Sequence, residues 1–187
     1  SVSTIEHLMS ALSGMHIDNA RIYIDEEEVP IMDGSSKPFV ELIENAKTKE
    51  QESKRKFIKV LREVEVTRED SYVRLSPNKQ FSINFEIEFD SPIINKQVCR
   101  LQLLNGNYKS DVSSARTFGF EKDVKELRTN GFALGGSLKN AIVVGEHNII
   151  NKEGLRFKDE FVRHKILDSI GDLYLAGNPI EGYFYGK

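Results

Sequence analysis

From Phe81 to Phe89 apolar and polar residues alternate strictly, with Phe81, Ile83, Phe85, Ile87 and Phe89 separated by Ser82, Asn84, Glu86 and Glu88. That period of two predicts a strand with one buried face and one wet face. Phe57–Val66, Tyr72–Leu75 and Gln97–Leu104 are also strand-like, so this part of the chain is expected to be mainly antiparallel sheet joined by hairpins. Upstream, Ser3 and Glu6 have the spacing of a capping box and Gly14 is placed as a stop, which predicts a short first helix. Ile17–Ile24 reads as a strand, and Pro38–Ala46 has helical apolar spacing with proline in its first turn. Helical signals return at Ser110–Ala115 and Glu121–Asn130, and a Gly-rich turn at Gly135-Gly136-Ser137 leads into a strand over Ala141–Val144. The longest helix is expected from about Asp159 to Ala176, with Gly177 just beyond it.

Strands and helices come in blocks, which favours an α+β fold over regular βαβ alternation. Between them, Lys47–Lys56 is almost wholly polar and marks the expected boundary between a first unit, residues 1–50, and a second, residues 51–187. With 187 residues the chain is long enough to bury a core. A net charge of −3 with scattered Lys and Arg offers no basic face, so no nucleic-acid partner is expected. No apolar run reaches the roughly 18 residues of a membrane span, and the first residues carry no secretory signal pattern. Cys99 is the single cysteine, so no disulfide forms within the chain, as suits a reducing cytoplasm.

Candidate chemistry concentrates in the last helix. His164, Asp168 and Asp172 are spaced by four and line one face, while Ile166, Leu167, Ile170 and Leu173 cover the other. An imidazole and a carboxylate one turn apart suit Zn²⁺, but two ligands are too few for a stable site. His7 offers a third, with Glu6 beside it as a carboxylate able to take a proton from water. The same spacing also fits an ordinary exposed helix face with a His–Asp pair, and pattern alone leaves that reading open.

Five segments in order and in compatible register decide further: Ser3-Thr4-Ile5-Glu6-His7-Leu8-Met9-Ser10-Ala11-Leu12, Pro30-Ile31-Met32-Asp33-Gly34-Ser35, Ala115-Arg116-Thr117-Phe118-Gly119-Phe120, Leu134-Gly135-Gly136-Ser137 and Phe161 through Asp172. Together they closely resemble the bacterial UDP-3-O-acyl-N-acetylglucosamine deacetylases, zinc amidases of lipid A biosynthesis, over essentially the whole chain. The resemblance implies two units, each layering helices against a β-sheet, with zinc at the cleft between them and a small βαβ insert at about residues 118–145. It implies His7, His164 and Asp168 as zinc ligands, Glu6 as general base, Thr117 as oxyanion stabiliser and Asp172 as the carboxylate that orients a catalytic histidine.

The resemblance further places Lys165 near the substrate diphosphate and Phe89 and Phe118 along the nucleotide and sugar site. Phe120, Val124, Ala133, Ser137, Ala141 and Val143 correspond to an apolar passage for the acyl chain. The implied partner is UDP-3-O-acyl-N-acetylglucosamine, met by a monomer in the cytoplasm of a Gram-negative bacterium. Members of the family begin well before the position of Ser1 and carry a Lys-x-Gly-His motif just after a strand like Gly182–Gly186, whereas this chain stops at Lys187. The expected function is therefore zinc-dependent deacetylation, the alternative being an impaired fragment that binds only zinc and sugar nucleotide.

Overall fold

The computed structural model describes residues 1–103, 106–131 and 134–187. In chain order it contains α1 (Glu6–Gly14), α2 (Lys37–Ala46), β1 (Ile58–Lys59), β2 (Val64–Arg68), β3 (Ser71–Ser76), β4 (Ser82–Glu88), β5 (Lys96–Gln102), α3 (Asn107–Asp111), β6 (Phe118–Phe120), α4 (Glu121–Thr129), β7 (Ile142–Val144), α5 (Glu160–Tyr174), β8 (Ile180–Glu181) and β9 (Tyr183–Gly186). The fold is α+β. Its main sheet has the order β2-β3-β9-β4-β5, with β9 antiparallel to β3 and parallel to β4. The expected mainly antiparallel sheet with hairpins is found in the pairings β2–β3, β3–β9 and β4–β5, while the pairing of β4 with β9 adds a parallel seam that the pattern did not show. The last strand returns after α5 to fill the centre, and β1–β8 and β6–β7 are parallel pairs as well.

The β4 alternation works as its pattern dictates: Ile83 and Ile87 are buried, facing α5, while Glu86 and Glu88 lie on the opposite face with Lys96. Helix α5 supplies the centre of the core through Phe161, Val162, Ile166, Leu167 and Ile170, all buried. Its other flank carries α1, so α5 is sandwiched between the sheet and the first helix.

The contact of α1 with α5 is unusually close, because a Cβ at Gly171 would lie 2.1 Å from the Glu6 carbonyl oxygen. Only glycine permits that approach. Gly14 has a comparable role at the other end of α1, where a Cβ would strike the ring of buried Tyr108. Strands β6 and β7 pair in parallel around α4, forming a β–α–β unit.

Two local expectations are overturned. Ile17–Ile24 has strand propensity but pairs with no strand among the described residues, and Ile22, Tyr23 and Ile24 are exposed. Propensity for extended backbone becomes a strand only where a neighbouring edge accepts the ladder. Ser3 forms no capping box either. Its hydroxyl donates to the Glu27 carbonyl, joining a parallel bridge between Ser3 and Glu28, and Ile5 occupies the N-cap position of α1. Among the described residues, no helix is long and apolar enough to cross a membrane.

Candidate metal centre

Three side chains converge where α1 crosses α5. His7 comes from the first turn of α1, and His164 and Asp168 come from successive turns of α5. One ligand atom from each lies within 4.8 Å of the others, and both imidazoles are buried. The rings meet edge to face with centroids 4.9 Å apart. Asp168 Oδ1 stands 3.5 Å from His7 Nε2 and 3.3 Å from His164 Nε2, yet it is a buried oxygen without a hydrogen-bond partner.

The proton on His164 is fixed by its surroundings. Nδ1 lies 3.0 Å from the Ala115 carbonyl oxygen, and a carbonyl only accepts, so Nδ1 carries the hydrogen. Burial drives the imidazole down to about 4, which keeps it neutral near pH 7. Nε2 therefore presents a bare lone pair towards the Asp168 carboxylate. Burial pushes the Asp168 carboxyl up, yet the group is held below the usual carboxylate range, with the Lys165 ammonium among the charges that favour its ionised form. A lone pair opposed to an anionic oxygen at 3.3 Å is repulsive unless a cation stands between them.

The neighbouring charges follow from the same helix contact. Glu6 precedes His7, and the Glu6 backbone rests against Gly171 of α5. Asp172, one residue further, has its carboxyl raised, chiefly by burial and then by the negative charges of Asp168 and Glu6. Glu6, Asp168 and Asp172 thus form an acidic rim to the two imidazoles. Thr117 is held from both sides: its N–H donates to the Gly34 carbonyl at 2.7 Å, and its carbonyl accepts from Ile142 at 2.8 Å. Gly34 has φ +84°, and a Cβ there would meet the Asn140 carbonyl oxygen at 2.0 Å, so the Asp33-Gly34-Ser35 turn requires glycine.

Lys165, Phe118, Phe89 and Phe120 form a second group next to the histidines. The Lys165 ammonium lies 3.3 Å from Asp168 Oδ2 and 5.6 Å above the Phe118 ring. Phe89 packs on Phe118 and Phe120 with centroids 5.8 and 5.5 Å away, and Phe118 meets Phe161 edge-on at 4.9 Å. Val124, Ala141 and Val143 are half-buried on or beside the β–α–β unit, whereas Ser137 is exposed in a turn closed by Asn140. Ala133 lies outside the described residues. His16 and His147 stand apart from the cluster, His16 beside Arg55 and His147 exposed beside Glu146.

The sequence reading missed one pair. Arg116 and Glu160 are both buried and joined by a forked ion pair, with Arg116 Nε 2.9 Å from Glu160 Oε1 and Nη2 3.2 Å from Oε2. Their only trace in the sequence is an arginine inside a motif and an acid in the first turn of α5. Neither signals a partner 44 residues away.

The α+β scaffold thus brings two imidazoles and a carboxylate close enough together to offer three donors to one metal ion. Comparison with known sequences is more specific. The family model for LpxC, UDP-3-O-acyl N-acetylglycosamine deacetylase, matches residues 1–187, and the chain belongs to that family. It is 52% identical over 185 residues to the UDP-3-O-acyl-N-acetylglucosamine deacetylase of Psychrobacter cryohalolentis, covering 98% of this chain and 58% of that protein. The Syntrophus aciditrophicus enzyme of the same name is 50% identical over 184 residues, with the same two coverages, and that of Acidithiobacillus ferrooxidans is 49% identical over 187 residues, covering 99% of this chain and 62% of that protein. The chain thus spans 58–62% of the length of these relatives.

Proposed function

We propose that this chain carries the zinc centre and general base of a deacetylase that removes the N-acetyl group of UDP-3-O-acyl-N-acetylglucosamine, a step of lipid A biosynthesis. The observation that carries the reading is the bare His164 Nε2 facing the unpartnered Asp168 oxygen at 3.3 Å, with His7 beside both. Two imidazoles and a carboxylate are a donor set that catalytic zinc takes, with a further position left for water or substrate. A zinc ion held by His7, His164 and Asp168 would supply Lewis acidity, lowering the pKa of a neighbouring water and polarising the amide carbonyl.

The chain's own residues divide the remaining work. Glu6, at the start of α1 beside a ligand, accepts the proton of the attacking water at its carboxylate. The Thr117 hydroxyl, on a backbone clamped by Gly34 and Ile142, donates to the oxygen that becomes anionic as the carbonyl is attacked. Asp172 keeps a carboxylate on the same face of α5 to orient a protonated group towards the departing amine. Lys165, above the Phe118 ring, is assigned to a phosphate of the substrate, the Phe89, Phe118 and Phe120 group to an apolar wall for its sugar and acyl portions, and Val124, Ala133, Ser137, Ala141 and Val143 to the acyl passage. The site of action is the bacterial cytoplasm, and the protein is a monomer.

The test is acetate release from UDP-3-O-acyl-N-acetylglucosamine by the full-length protein, with Glu6→Gln as the variant. Turnover should fall by about 10²–10⁴-fold, the range of a lost general base, while zinc content stays at one per chain. Turnover that survives the substitution would remove Glu6 from this role. Absence of turnover in the unsubstituted protein would overturn the substrate assignment.

A further inference from the structure

Thr117 and the metal-facing histidine His164 depend on one short strap, residues 115–117, and α5 grips that strap at two points one turn apart. The first point is His164, whose Nδ1–H donates to the Ala115 carbonyl at 3.0 Å. The second is Glu160, four residues earlier on the same face of α5 and fully buried. Its Oε1 accepts both the backbone N–H of Arg116 at 3.0 Å and the Nε–H of the Arg116 side chain at 2.9 Å, and its Oε2 accepts from Arg116 Nη2 at 3.2 Å and from the Arg156 N–H at 2.5 Å. Arg116 is also buried, and its remaining donors reach Glu153 Oε1 at 3.0 Å and the Gly154 carbonyl at 2.7 Å.

This pairing fixes more than a loop. The peptide unit that joins Ala115 to Arg116 offers its N–H to Glu160 and its C=O to His164, so both ends of one rigid plane are anchored to α5. Rotating that plane breaks both bonds together. If the carbonyl turns away, Nδ1 loses its acceptor, the neutral ring no longer prefers one tautomer, and the hydrogen can move to Nε2, which occupies the lone pair facing Asp168. A charged, forked, fully satisfied pair resists such a rotation far better than a neutral hydrogen bond does. A buried carboxylate that merely stabilised the fold would not need to bond the one N–H lying across the peptide plane from a ligand's acceptor.

We propose that Arg116 and Glu160 are positioning residues that lock the Ala115–Arg116 peptide plane, and through it hold His164 in the Nδ1–H form with Nε2 free for the metal. The proposal rests on the reading of His164 as a ligand, and it concerns the metal-free protein as much as the loaded one. Outer partners of metal-bound histidines commonly change metal affinity by about 10–100-fold when removed.

The test reads the His164 tautomer directly, by ¹⁵N NMR of the imidazoles in metal-free protein, beside Zn²⁺ titration of the same samples. Unsubstituted protein should show His164 protonated at Nδ1 and bare at Nε2. Glu160→Gln, which keeps size but loses the charge-assisted fork, should show both tautomers and a zinc dissociation constant raised by about 10–100-fold. Arg116→Lys, which retains charge without the fork, should shift in the same direction by a smaller factor. The exposed change Glu146→Gln should alter neither reading.

Finding Nε2–H as the resting form in the unsubstituted protein would overturn the proposal without any variant, so a Glu160→Gln chain that fails to fold does not protect it. A single Nδ1–H tautomer persisting in both folded variants would overturn it as well. If unsubstituted protein shows the expected tautomer but binds no Zn²⁺, the zinc reading fails while the positioning role stands. If zinc binds normally and the tautomer ignores both substitutions, the reverse holds.

Discussion

Replacing Gly171 by alanine tests whether the α1–α5 approach is what assembles the site. The added Cβ would lie 2.1 Å from the Glu6 carbonyl oxygen, 2.9 Å from the Glu6 carbonyl carbon and 3.1 Å from the Ser10 nitrogen. All three are backbone atoms, so no side-chain rotation relieves the clash. Ordinary contact begins near 3.4 Å, which requires α1 to retreat from α5 by about 1.3 Å at the point where His7 follows Glu6. Overpacking of this kind costs about 1–3 kcal/mol, and alanine's better helix propensity returns about 1 kcal/mol, so the net loss of stability is about 0–2 kcal/mol. The metal should suffer more, because ligand distances must hold to within about 0.2 Å and the shift moves one ligand of three by several times that. The expectation is a protein that unfolds a few degrees earlier but binds zinc at least about 10-fold more weakly. Thermal unfolding of metal-free protein and competitive zinc titration separate the two effects. A Gly171→Ala protein that is stabilised, or that binds zinc as tightly as before, would refute the claim that this glycine sets the distance between the ligands.

Two further outcomes follow from groups outside the cluster. Asp33 has its carboxyl held below the ordinary value of 3.8 although burial pushes it up, because Ser35 and Arg156 bond the ionised form. Its contribution is therefore complete above the unfolded value and is lost as pH falls through the lower folded one, so Asp33→Asn should cost about 1 kcal/mol near pH 7 and progressively less below about pH 4 in urea unfolding; a deficit that does not shrink in acid would contradict the assignment. The buried Cys99 thiol is pushed up to about 11 by burial, so a thiol-specific reagent at pH 8 should label it at least about 100-fold more slowly in native than in denatured protein, and rapid native labelling would show that the sheet opens at β5.

Much of the architecture was legible because its signals are local. The alternation from Phe81 to Phe89 became β4 with the expected face buried, and the spacing of His164 and Asp168 became two adjacent groups on α5. What pattern could not supply was distance across the chain. His7 stood in the sequence only as a candidate third ligand until the resemblance assigned it, since nothing periodic links it to a helix more than 150 residues later; the link is made by Gly171, whose missing side chain says nothing about its neighbour. The central place of β9 and its parallel pairing with β4 were equally hidden, because strand order depends on the path of the chain around α5. Ile17–Ile24 erred in the other direction, carrying strand propensity without a partner among the described residues. The Arg116–Glu160 pair shows the remaining gap: a buried ion pair between distant segments has no spacing to betray it, and only its burial distinguishes it from two surface charges.

The central claim is that His7, His164 and Asp168 share one metal ion. The most direct measurement is zinc stoichiometry and affinity on the folded protein, by elemental analysis after dialysis together with competitive titration, for the unsubstituted chain, His164→Ala and His147→Ala. One zinc per chain is expected in the unsubstituted protein and in His147→Ala, with most of the affinity lost in His164→Ala because two protein ligands remain. Zinc retained undiminished by His164→Ala, or no zinc bound by the unsubstituted protein, would contradict the account.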